Sequence, residues 1–80
     1  MHSDKSVESK LRREADRISS LIVASDYPAI DIVIEIRNLR EYVEENMPDR
    51  LDLFEMIYES RFERLWHQFR EEDEGLLPEW

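Results

Sequence analysis

The chain has no cysteine, a single glycine and three prolines in 80 residues. Without cysteine no disulfide can staple a small fold, and no thiol is available for catalysis or metal binding. The lack fits a reducing, cytoplasmic setting. So few turn residues leave room only for short loops. Apolar runs are as short as Leu21-Ile22-Val23, far below the ~20 residues that span a bilayer, so no membrane association is expected. The opening Met1-His2-Ser3-Asp4-Lys5 is polar and charged and has no apolar leader core.

What is abundant is charge, mostly negative. Twenty acidic residues face eleven basic ones, a net charge of −9. The imbalance grows along the chain: +1 over residues 1–25, −4 over 26–48 and −6 over 49–80. Most of such a surface repels a phosphate backbone at long range. Nucleic acid is therefore not an expected partner, and a protein with a basic or apolar surface is.

Richness in Glu, Arg and Leu with so little Gly and Pro predicts an all-α fold. Residues 1–80 read as a single helical domain with flexible ends at 1–5 and 73–80. Helices are expected at about 6–24, 28–46 and 48–72, packed as a small antiparallel three-helix bundle. In the first, Val7, Leu11, Ala15, Ile18, Leu21 and Ile22 share an arc of about 120°. Asp26 reads as the N-cap of the second helix, with Pro28 in its first turn. Asn46 reads as a left-handed helix stop, and Pro48 as the start of the third helix.

The third helix carries the strongest signal. Phe54, Tyr58, Phe62 and Trp66 stand four apart, with Phe69 three further on, a row that is contiguous only on an α-helix. These residues, with Leu51 and Leu65, are its expected core face.

Residues 30–36 carry two patterns. Ile32, Ile36, Leu39 and Val43 form a helical stripe, while Ile30, Ile32, Ile34 and Ile36 alternate as in a strand. Helix is the preferred reading, because no second strand exists in the chain to pair with one. Were 30–36 a strand, the order strand, helix 38–46, helix 48–72 would resemble that of ribbon-helix-helix DNA-binding dimers, whose antitoxin relatives often have acidic extensions. The likeness would imply a DNA-linked regulator with an intermolecular strand. It lies in element order only. Its outward residues would be Asp31, Val33 and Glu35, where a reader of bases needs donors.

No catalytic constellation is visible. Ser19, Ser20 and Ser60 sit within helices without a matching histidine and acid, and no glycine-rich loop or strained turn offers a site. His67 shares a face with Glu63 and Glu71, but one imidazole and two mobile carboxylates on an exposed helix make a weak metal site. The residue three before it is Arg64, not the Glu of di-metal bundles. Neither catalytic residues, nor a metal, nor a cofactor is assigned, and the chain reads as a non-enzyme.

The remaining signal is surplus apolar surface. Ile30 and Ile34 fall off the core stripe of the second helix. Leu53, Met56 and Ile57 fall off that of the third. These five are the candidate interface, with a homodimer as the expected assembly, since closed pairs are the commonest small oligomers. Leu76, Leu77 and Trp80, behind an acidic run, are candidate docking residues of the tail.

Overall fold

The computed structural model describes residues 3–24 and 26–77. Helix α1 is Ser3–Val23, α2 is Ala29–Asn46, α3 is Leu51–Phe54 and α4 is Ser60–Phe69. Pro48–Arg50 and Glu71–Leu76 are 3-10 segments, and Glu55–Glu59 is a π turn. No strand occurs among the described residues, and 30–36 lie within α2. The α-helices number four rather than the expected three, because the π turn divides the third. The backbone stays right-handed helical through the division, at Phe54, Glu55, Glu59 and Ser60 alike.

Side-chain contacts give the directions. Lys10 lies over the Tyr42 ring and Arg17 pairs with Glu35, so α1 and α2 run antiparallel. Glu8 pairs with Arg50, Asp16 with Arg61, and Arg70 reaches Ile22, so α1 runs alongside α3 and α4 in the same sense. The whole measures 43 × 21 × 17 Å.

The core lies between these elements. Leu11, Ala15, Ile18 and Ile22 of α1 meet Ile32, Val33, Ile36, Leu39 and Val43 of α2, and Phe54, Phe62 and Trp66 close it. Each fully buried large apolar side chain contributes about 1.5–3 kcal/mol.

Two junctions differ from the expectation. Pro28, not Asp26, holds the N-cap position of α2, with extended φ −62° and ψ 132°. Its carbonyl accepts the N–H groups of Asp31 and Ile32 at 3.1 and 3.3 Å. Asn46 takes no left-handed conformation. It stays helical and donates its side-chain amide to Tyr42 O at 2.9 Å, while Met47 leaves the helix at φ −153°.

The expected aromatic row is broken by the π turn. Ser60 N–H reaches back to Glu55 O, five residues away. One extra residue in a turn rotates everything after it by about 100° relative to what precedes it. Glu59 therefore takes the inward place that Tyr58 holds in a straight α-helix. Glu59 is 1% exposed and Tyr58 is displaced to the flank, half-buried. Beyond the turn the inward row runs Phe62, Trp66, Arg70 at four-residue spacing. Arg70 is buried and Phe69 is 48% exposed, so Phe69 is not a core residue.

Candidate interaction surfaces

Two charged side chains enter the interior, and both are fully occupied there. The Arg40 guanidinium donates from Nη1 to both carboxylate oxygens of Glu59, at 2.7 and 2.9 Å, and from Nη2 to Glu55 at 2.6 Å. Glu44 stands 3.5 Å from Nε. Burial pushes the Glu59 carboxyl above the usual range, and Arg40 pulls it back only in part. The partly exposed guanidinium loses less by desolvation and is held more firmly charged, chiefly by Glu59.

Arg70 plays a different part. Its Nε donates to Ile22 O at 2.9 Å and its Nη2 to Leu21 O at 3.1 Å and to Ala24 O. These are carbonyls at the C-terminal end of α1, which has no basic residue in its own last turn. A cation there satisfies orphan acceptors and opposes the negative end of the helix dipole. To reach them Arg70 leaves helical geometry (φ −135°, ψ 44°), and α4 stops at Phe69 instead of running to about 72.

The turn at Arg70 carries Glu71–Leu76 back over α4 and α2. The Trp66 indole Nε1 donates to Asp73 O at 3.0 Å, and Leu77 packs against the core. His67 Nδ1 meets Glu74 at 2.7 Å and Nε2 stands 3.8 Å from Glu63. Glu74 holds the place that a straight helix would give to Glu71. The Glu74 carboxylate foremost, with Glu63 adding, raises the His67 pKa. Among the described residues no group of three or more His, Asp or Glu is placed to hold a metal ion. No helix among them is long and apolar enough to cross a membrane.

The five surplus apolar residues are all exposed: Ile30, Ile34, Leu53, Met56 and Ile57. Helix α1 lies across none of them. They do not form one patch. Ile30 and Ile34 stand on the side of α2 opposite its core stripe. Met56, 68% exposed, lies in a shallow depression among Asp52, Glu55, Glu59 and Glu63. Leu53 and Ile57 form the lip of a groove between α3 and the first half of α1, enclosing about 210 Å³. Its floor is Leu11, Phe54 and Met47, and its polar rim is Glu8, Arg12 and Arg50.

No protein-family model matches the chain, and no match to it was found among curated proteins or solved structures. Function has to be read from these surfaces. Of the candidate tail residues, Leu76 is exposed and Leu77 is packed inward; Trp80 lies outside the described residues. The places of Arg40, Glu59 and Arg70 were missed in the sequence. A signal existed for Arg70, which continues the four-residue spacing of Phe62 and Trp66.

Proposed function

We propose that this chain is a small, acidic, non-catalytic protein-interaction module, an adaptor or regulator that associates with itself through apolar faces of α2 and of the α3–α4 rod. The assembled unit is an antiparallel three-helix bundle paired with a second copy, working in the cytoplasm. The observation that carries this reading is the exposure of five large apolar side chains on well-formed helices. Exposed apolar surface beyond what a core needs usually marks an interface on a small domain. A non-catalytic role is supported by the fate of the two interior charges: Glu59 is taken up by Arg40, and Arg70 by carbonyls of α1. A DNA-linked regulator built on a paired strand is less well supported, since 30–36 form the first turns of α2.

The test is a chain carrying Ile34→Glu together with Ile57→Glu. Both sites are exposed, so helicity by circular dichroism is retained, and self-association is lost. A double variant that associates as the parent does places the interface elsewhere.

A further inference from the structure

The three apolar surfaces differ sharply in the charge around them. The exposed charged residues of α2, which carries Ile30 and Ile34, are Asp31, Glu41, Glu44 and Glu45 against Arg37 alone. Met56 is ringed by carboxylates. The rim of the α1–α3 groove holds one acid and two bases.

Two copies of a chain with net charge −9 repel one another. At physiological ionic strength charge is screened beyond roughly 8 Å. What a docking copy meets at contact is then the charge of the patch itself, not of the whole molecule. Like charges brought together at an interface and stripped of water cost several kcal/mol. Closure around Met56 places carboxylates against carboxylates, and closure about the α2 face brings together four acids and one base from each copy. Closure about the groove does neither.

The groove is also self-complementary in sequence. Glu8 and Arg12 stand one turn apart on the same face of α1. A two-fold axis brings the same patch of both copies together in opposite directions, and with the axis passing between these two residues Arg12 of one copy faces Glu8 of the other. Arg12 has no acidic partner within salt-bridge distance among the described residues, whereas Arg50 is paired with Glu8. Leu53 and Ile57 lie beside this pair and supply the apolar contact.

On the reading that the chain self-associates, and narrowing its contact to the α3 side, we propose that the second copy docks on the α1–α3 groove through Leu53, Ile57 and Arg12, and that Ile30, Ile34 and Met56 stay outside that contact.

The experiment compares the solution masses of the parent chain and of single variants Ile57→Glu, Ile34→Glu and Arg12→Glu, each checked for helicity. The expected result is a dimeric parent, a dimeric Ile34→Glu variant, a monomeric Ile57→Glu variant, and an Arg12→Glu variant whose association is weakened at least about tenfold. Dissociation by Ile34→Glu, or persistence of the dimer in Ile57→Glu, overturns the placement while leaving self-association intact. A parent that is monomeric throughout overturns self-association itself, and the placement with it.

Discussion

Arg40 Nη1 lies 2.7 and 2.9 Å from the two carboxylate oxygens of Glu59, a residue the π turn rotates into the interior. The pair belongs to α2 and the turn between α3 and α4, and it fixes their relative register. Breaking a buried pair by removing one partner costs about 3–5 kcal/mol, whereas replacing both by apolar groups is often neutral or favourable. Glu59 is buried but Arg40 is partly exposed, so Arg40→Met is expected to lower the unfolding free energy by about 1–3 kcal/mol, short of that figure. Arg40→Met combined with Glu59→Leu is expected to recover most of that loss. Urea unfolding of the three proteins checks this.

The pH dependence of the same site has a definite sign. Burial raises the Glu59 pKa in the folded state. Its protonated form is thus the one the fold prefers. The stability it contributes is complete below the ordinary glutamate pKa and is lost as pH rises through the folded value. Across that acidic window the parent is expected to lose stability relative to Glu59→Gln. Urea midpoints measured for both proteins at a series of pH values give the difference directly, and parallel curves would contradict the assignment.

Arg70 acts on the end of α1. Its hydrogen bonds are charge-assisted and meet a helix terminus, so Arg70→Ala is expected to cost on the order of 2–3 kcal/mol. Arg70→Lys is expected to recover only part, because a single ammonium lacks the planar fork that serves Leu21, Ile22 and Ala24 together. Amide exchange in the last turn of α1 should quicken first in either variant.

Ser19 Oγ is buried without a hydrogen-bond partner among the described residues. Ser19→Ala removes that unsatisfied group and improves helix propensity, so it is expected to stabilise the fold by about 1 kcal/mol. A lower melting temperature in the variant would indicate a partner for the hydroxyl.

The tail has its own titration. Glu74 and Glu63 raise the His67 pKa. The contact is strongest with the imidazole protonated; its contribution is full below the ordinary histidine value and fades as pH rises through the folded one. The His67 ring protons, followed by NMR, are expected to titrate above an ordinary histidine and to move back towards it in Glu74→Gln.

Much of the fold was legible in the residues. The stripes Leu11, Ala15, Ile18, Ile22 and Ile32, Ile36, Leu39, Val43 are the core faces of α1 and α2, because straight helices keep a constant angle per residue. The alternating isoleucines of 30–36 resolve as helix, since no other segment offers a strand partner. In the third stretch Phe54, Phe62 and Trp66 were legible as core, with Tyr58 and Leu65 against it. The inward places of Glu59 and Arg70 and the exposure of Phe69 were not, because nothing in Glu55-Met56-Ile57-Tyr58-Glu59 alone announces an extra residue in the turn. The partner that meets Glu55 and Glu59 lies in another element: Arg40 is fifteen and nineteen residues away in sequence. The surplus apolar positions were legible as residues, and the structure leaves all five exposed. Their division among three surfaces was not, because it depends on which neighbours α1 and the π turn bring to each.

Joining copies of this chain is the role proposed for the exposed apolar surface. Absolute mass by light scattering behind a sizing column, over a tenfold concentration range, tests it most directly. The account predicts a species near twice 9.8 kDa that dissociates only on dilution. A constant 9.8 kDa across the whole range would contradict it.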